Sequence, residues 1–165
     1  MSKKIVITGG IGYIGTELCK IYSGISWNNE ILVIDNRFIS ERVNQLRNWG
    51  IDFVHGDILD KSLVNKYCKD ADIVHHLAGI TDVPRVKSES DNEKNTKIKL
   101  VGEEGTQNII NAITQKCKII FPSTHVVYEG IEKVRNDILE DEDTKPILVY
   151  ANSKATNEKQ LKNSG

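Results

Sequence analysis

The sequence predicts an α/β protein built on a doubly wound parallel sheet, and three features of its 165 residues lead there. Apolar runs of strand length alternate with amphipathic runs of helix length. The strand-like runs are apolar almost throughout, as strands covered on both faces are. The first of them breaks into a cluster of glycines that opens directly into a helix. A chain of this size suits one domain, burying about two-thirds of the surface that its unfolded form exposes.

Ile5-Val6-Ile7 supplies the first strand, and Thr8-Gly9-Gly10-Ile11-Gly12-Tyr13-Ile14-Gly15 the turn that follows it. Glycine reaches positive φ, and without a Cβ it lets helix N-terminal amides approach phosphate oxygens, so strand, glycine turn and helix together point to a dinucleotide. Two parsings fit: Gly10-x-Gly12-x-x-Gly15, the general dinucleotide fingerprint, and Gly9-x-x-Gly12-x-x-Gly15, a wider spacing. Helical spacing puts Ile14, Leu18, Ile21, Tyr22 and Ile25 on one face, expected to be buried. The second strand, Glu30 to Ile34, ends in Asp35, 20 positions beyond Gly15. An acid there accepts hydrogen bonds from the adenosine ribose and repels a 2′-phosphate, which favours NAD over NADP. Beside Asn36, Asp35 also reads as a turn former.

Ser40 is expected to cap a short helix carrying Val43, Leu46 and Trp49, with Gly50 as its stop. Ile51 to His55 makes the third strand, followed by Gly56-Asp57-Ile58, and Asp60 caps a third helix containing Leu63, Val64 and Tyr67. Asp72 to Ala78 reads as the fourth strand. Val86 to Lys99 is polar, a loop or the solvated start of a long helix whose later part packs Gly105, Ile109, Ala112 and Ile113. Lys118 to Phe121 is the fifth strand, which Pro122-Ser123-Thr124 brings to an end. Ile131 to Lys145 is charged and expected to face solvent. The alternation gives a Rossmann-like sheet that stops after about five strands.

With 22 basic and 23 acidic residues the net charge is −1, which gives no electrostatic footprint for nucleic acid or an anionic membrane. No apolar run approaches ~18 residues, and Met1-Ser2-Lys3-Lys4 enters the first strand too soon for a signal peptide, so a soluble cytoplasmic protein is expected. Cys19, Cys68 and Cys117 are odd in number and far apart, reading as buried free thiols. His55, His75, His76 and His125 lack ligand spacing, and no metal site is expected.

Tyr150 and Lys154 stand four apart, on one helical face. An ammonium beside a phenol lowers the tyrosine pKa and makes it a usable proton donor or acceptor, although the same spacing also occurs as a plain surface contact. Thr124 lies at the carboxyl end of the fifth strand, where open α/β sheets place ligand contacts, so its hydroxyl is placed to serve the same substrate oxygen as Tyr150.

Across nearly its whole length the chain resembles the extended short-chain dehydrogenase/reductase family, especially its NAD-dependent nucleotide-sugar epimerase/dehydratase branch. The segment from Thr8 to Gly15 is similar to that family's cofactor loop, which selects the wider glycine spacing, and Asp35 to its ribose-binding acid. Asp57-Ile58 resembles the pair that holds the adenine, and Leu77-Ala78-Gly79 the strand-four segment along the cofactor. Gly105-Thr106-Gln107-Asn108 falls where the long fourth helix carries a family signature. Phe121-Pro122-Ser123-Thr124 with Val127-Tyr128 resembles the strand-five motif, and Tyr150-Ala151-Asn152-Ser153-Lys154 the Tyr-x-x-x-Lys motif, flanked as usual by Pro146 and Glu158. The resemblance implies that Gly9, Gly12, Tyr13, Ile14, Gly15, Asp35 and Asn36 contact NAD. It implies that Tyr150 moves a proton on a sugar hydroxyl while NAD accepts hydride from its carbon, that Lys154 holds the nicotinamide ribose, and that Thr124 orients the hydroxyl. The substrate would be a nucleotide sugar, and two copies would pair through the fourth and tyrosine helices.

Departures from the family narrow this. His125 and Val126 stand where dehydratases resemble one another in carrying acids, which favours epimerisation or carbonyl/alcohol redox over dehydration. His125 reads as a proton carrier or an exposed histidine. Gly102 stands where the family often has an asparagine serving a water relay, and Glu129 before Gly130 looks inserted. Family members continue past the tyrosine helix into a sixth strand and a substrate-binding portion, so residues 1–165 are expected to form an incomplete NAD-binding domain whose fifth strand is an open edge. The alternative is a catalytically inactive NAD-binding module, or a subunit needing a partner chain for the substrate half.

Overall fold

Isoleucine and valine at three successive positions leave Ile5, Val6 and Ile7 no polar face, and the first strand lies where both faces are covered. In the computed structural model, which describes residues 2–25, 28–81, 92–133 and 135–165, β1 (Lys4–Thr8) is the middle of a five-stranded sheet. It pairs with β2 (Glu30–Asp35) on one side and β4 (Ile73–His76) on the other. Beyond β2 lies β3 (Asp52–His55), and beyond β4 lies β5 (Lys118–Ile120), giving the order β3-β2-β1-β4-β5 with every pair parallel. The order reverses at β1, so a crevice opens outside the carboxyl ends of β1 and β4, the usual ligand position in open α/β sheets. Met1, Val134 and the Val86 to Asp91 part of the polar stretch lie outside the described residues.

Alternation along β1 divides the core in two. Ile5 and Ile7 face α1 (Tyr13–Ser23) and α2 (Ser40–Asn48), packing with Cys19, Val33, Leu46 and Ile51. Val6 faces the other side, where α3 (Lys61–Cys68) and α5 (Gly105–Ala112) bring Val64, Cys68 and Ile109 onto Leu32, Ile34 and Val74. Asp60 caps α3 as expected, accepting from the amides of Ser62 at 2.9 Å and Leu63 at 3.1 Å. A π-helical turn, Leu100–Glu104, joins α4 (Asn92–Lys99) to α5, and α6 (Val149–Asn163) packs against this turn and α4. Among the described residues no helix is long and apolar enough to cross a membrane.

Several expectations are corrected. Ile14 and Ile21 are 62% and 60% exposed, while α1 buries Gly15 and Cys19 and half-buries Leu18 and Tyr22; Ile25 lies past its end. The cause is Gly15: a Cβ there would stand 2.6 Å from Gly10 Cα, so the helix rests on its own preceding turn and that contact sets its rotation. Ser40 is the first residue of α2 instead of its cap; Ile39, half-buried against the core, holds the capping position with an extended backbone and no side-chain bond. The third, fourth and fifth strands are shorter than expected, β4 ending where β1 gives way to the glycine turn. Cys117 is only half-buried, because it precedes edge strand β5, whereas Cys19 and Cys68 are buried with thiols pushed up to about 12 by burial.

Two histidines sit inside this apolar sheet, and each has partners. His75 Nε2 meets the Tyr22 hydroxyl at 2.7 Å. His76, 1% exposed, bonds the Thr8 hydroxyl through Nδ1 at 2.8 Å and the Thr106 hydroxyl through Nε2 at 3.0 Å. Asn157 of α6 donates to Thr106 Oγ1 at 3.0 Å and to the Gly102 carbonyl at 2.9 Å, extending the chain of bonds from β1 to α6. A side chain at position 102 would overlap Ser153 Oγ, so α6 approaches the π-helical turn at this glycine.

Burial, with a smaller contribution from the Lys154 charge, pushes His76 from its ordinary 6.5 down to about 4. Between those values the unfolded chain binds a proton that the folded chain refuses, so this histidine makes stability fall as pH falls, by up to about 3 kcal/mol. Urea unfolding at stepped pH will show the stability difference between wild type and His76→Gln narrowing from pH 6.5 to 4; a constant difference contradicts it.

Candidate functional site

The crevice is a cleft of about 570 Å³ whose floor is the glycine turn. Gly9 takes φ +70°, and its backbone lies so close to β4's continuation that a Cβ would stand 2.7 Å from Ala78 N. Gly9 donates to the Ile34 carbonyl at 2.8 Å and Gly12 donates to the Gly9 carbonyl at 3.0 Å, which anchors the turn to β2. Gly12 then caps α1 with an extended backbone and no side chain. The first helical bond runs from Thr16 N–H to the Gly12 carbonyl at 2.9 Å, so the amides of Tyr13, Ile14 and Gly15 precede the ladder. Gly9, Gly12, Tyr13, Ile14 and Gly15 all line the cleft. Free helix-start amides beside bare glycine backbone form a cradle that fits a pyrophosphate.

Along the wall from β2 stand Asp35 and Asn36. Asp35 is 5% exposed and accepts from Ile11 N–H at 3.2 Å, which ties the acid at the end of β2 to the glycine turn. Among the described residues its other partners all come from Arg37, through the amide at 3.0 Å, Nε at 3.2 Å and Nη2 at 3.4 Å. Asn36 donates to Asp57 at 3.0 Å, and Asp57 also accepts from the Leu59 amide at 2.9 Å, so the ends of β2 and β3 are joined where Ile58 closes the cleft. Leu77, Ala78 and Gly79 form the opposite wall, continued by Ile80 and Val101.

At the far end, Tyr150 and Lys154 of α6 face the same cleft. Thr124 is outside its lining, capping the short 3-10 turn His125–Tyr128 through the Val126 amide at 3.3 Å, but its hydroxyl acts on the Tyr150 phenol in favour of the ionised form. Burial raises the Tyr150 pKa, and the Thr124 hydroxyl opposes that rise. This reverses the lowering expected from Lys154. The ammonium is turned toward the segment after β5, donating to the Pro122 carbonyl at 2.9 Å and lying 4.2 Å from the Phe121 ring centre. Burial brings Lys154 down to about 8, with Glu158 working against the shift. Glu158, one helical turn further along α6, accepts a hydrogen bond from Ser123, another cleft residue. His125 is exposed.

Arg37 is a structural residue that sequence reading passed over, and Glu129 one that it noted only as an apparent insertion. Arg37 stands two places after Asp35, and a cation so near an acid expected to meet the ribose was the available signal. Glu129 accepts from the amides of Ile147 at 2.7 Å and Leu148 at 2.5 Å, fixing the chain immediately before α6 and hence the place of Tyr150. Gly130 N–H meets the Lys145 carbonyl at 2.8 Å, where a Cβ would collide, so the inserted-looking pair is the clasp that returns the 131–147 loop to the tyrosine helix.

Residues 6–165 match the 3-beta hydroxysteroid dehydrogenase/isomerase family. The CDP-paratose 2-epimerase of Salmonella typhi is 33% identical over 143 residues, covering 80% of this chain and 40% of that protein. The UDP-N-acetyl-alpha-D-glucosaminuronate decarboxylase of Bacillus cytotoxicus is 30% identical over 130 residues, covering 78% and 38%. Among solved structures, the UDP-glucose 4-epimerase from Brucella ovis in complex with NAD superposes with a TM-score of 0.78 at 29% identity, over 98% of this chain and 47% of that one. The chain therefore spans less than half the length of these relatives. Its five-stranded Rossmann-like sheet and the match from residue 6 onward place it in the 3-beta hydroxysteroid dehydrogenase/isomerase family, among relatives that are nucleotide-sugar epimerases and kindred enzymes.

Proposed function

We propose that residues 1–165 form the NAD-binding and proton-transferring part of a nucleotide-sugar epimerase. The observation that carries this reading is that one cleft holds both the glycine turn with Asp35 and, at its other end, Tyr150 with Lys154. The amides of Tyr13 to Gly15 would receive the pyrophosphate, Asp35 the adenosine ribose, Asp57 and Ile58 the adenine, and Lys154 the nicotinamide ribose. NAD, when bound, supplies the hydride acceptor. Tyr150 takes the proton of the sugar hydroxyl at its phenolic oxygen, and the Thr124 hydroxyl donates to that oxygen and stabilises its charged form. Glu129 holds the start of α6 so that the phenol keeps its place. With exposed His125 and Val126 after Thr124, the acids that elimination needs are not supplied there, which supports epimerisation.

The nucleotide of the substrate is held by polypeptide outside residues 1–165, a reading supported by a span of less than half the relatives' length. The same span favours a second reading, an NAD-binding module that acts with a partner chain. Buried free thiols at Cys19 and Cys68 suit a reducing compartment such as the cytoplasm.

The test combines the protein, NAD and a panel of UDP-, CDP- and dTDP-sugars, following epimers by chromatography. Tyr150→Phe is expected to lower turnover about 100-fold or more while NAD affinity stays unchanged. Turnover that survives the substitution overturns the role of Tyr150, and turnover that appears only when a separate chain is added supports the second reading. A separate measurement follows each lysine by NMR after reductive methylation. Lys154 will titrate near pH 8, and Glu158→Gln will lower that value further, because the carboxylate favours the ammonium. The alkaline limb of turnover moves with it; an unmoved or raised value contradicts the assignment.

A further inference from the structure

Asp35 is the group proposed to read the adenosine ribose, yet protein donors already fill its carboxylate. An ionised carboxylate offers about four acceptor positions. Oδ2 receives Ile11 N–H at 3.2 Å and Arg37 Nη2 at 3.4 Å, while Oδ1 receives the Arg37 amide at 3.0 Å and Nε at 3.2 Å. A ribose diol therefore meets an acid with no free lone pair, and two of the four donors belong to a single side chain that can move. The Asp35 side chain is 3% exposed and that of Arg37 is 55% exposed, so the carboxylate is fixed and the guanidinium is the mobile partner.

The guanidinium also reaches beyond the pair. Arg37 lines the cleft, and its Nη2 lies 3.5 Å from where a Cβ on Gly12 would stand, beside the pyrophosphate turn. Of its five N–H donors, the pair with Asp35 engages two, leaving three for an acceptor in the cleft. Arg42 from α2 donates to the Ile11 carbonyl, setting a second cation behind the same turn. Repulsion of a 2′-phosphate needs a bare carboxylate, and this one is neutralised by its own neighbour.

We propose that Arg37 determines specificity at the adenosine end of the cofactor: it covers the ribose-reading positions of Asp35 and presents a cation to the 2′ position, so the cleft takes NADP as well as NAD. The ribose of NAD reaches Asp35 by moving the Arg37 Nε and Nη2 groups aside, whereas a 2′-phosphate uses the guanidinium where it stands. The proposal rests on the reading of the cleft as a nicotinamide-dinucleotide site.

Calorimetric titrations of the 165-residue protein with NAD and NADP, and with AMP and adenosine 2′,5′-bisphosphate as probes of the adenosine end, test it. Arg37→Met is the variant, since it keeps the aliphatic stem and loses only the fork. The ratio of NADP to NAD dissociation constants is expected to rise at least about tenfold in the variant, with NAD bound as well as or better than by wild type. Wild type is expected to prefer the bisphosphate to AMP, with a preference that salt weakens and Arg37→Met removes. An unchanged ratio, equal weakening of both dinucleotides, or wild-type binding of NAD with none of NADP overturns the proposal. Failure of folded wild type to bind either dinucleotide overturns the underlying reading and the proposal with it, an outcome distinct from NAD binding with an unchanged ratio.

Discussion

At the first crossover, the backbone of α1 rests on the turn that leads into it. A Cβ on Gly15 would stand 2.6 Å from Gly10 Cα and 2.7 Å from the carbonyl oxygens of Gly9 and Gly10, so contact at this distance is open to glycine alone. Its consequences spread outward. The helix start points into the crevice between β1 and β4, the amides of Tyr13 to Gly15 face the cleft, and the rotation of α1 carries Cys19 into the core while Ile14 stays at the surface. Gly10 is pressed onto the Val33 side chain of β2, and Gly9 onto the backbone at Ala78 beyond β4. Both neighbours of β1 are thereby held against the turn, and the carboxyl ends of three strands meet at one place.

The second half of the cleft depends on a polar seam through the same region. Thr8, the last residue of β1 before the glycines, bonds both the Ala78 amide at 3.2 Å and the buried imidazole of His76, which continues through Thr106 to Asn157 on α6. Among the described residues, every buried side-chain nitrogen and oxygen has a hydrogen-bond partner, so the seam is fully satisfied and costs no orphaned group. A network of this kind fixes one geometry where an apolar interface would allow several. It links the pyrophosphate turn to the helix that carries Tyr150 and Lys154, and the Glu129 clasp at the other end of that helix completes the support.

What the sequence made legible was local. The alternation of strands and helices, the glycine turn and the acid at Asp35 follow from period, spacing and backbone permissiveness, and all the residues assigned to the cofactor line one cleft. What stayed hidden needed a third dimension. The face of α1 is set by contact with a turn and not by apolar spacing, so Ile14 and Ile21 misled. Lys154 shares a helix face with Tyr150, yet its ammonium goes to the Pro122 carbonyl and the Phe121 ring because burial makes those the available partners. Glu129 and His76 bond residues 18 to 68 positions away, and no spacing rule announces such pairs.

The Gly10–Gly15 contact builds the dinucleotide cradle. Calorimetric titration of NAD into wild type and Gly15→Ala, with circular dichroism to establish that both are folded, tests it most directly. Wild type is expected to show saturable one-site binding and the variant an affinity at least about tenfold weaker, since an added Cβ must push α1 off the turn. Equal affinity in a folded variant, or no binding by folded wild type, would contradict it.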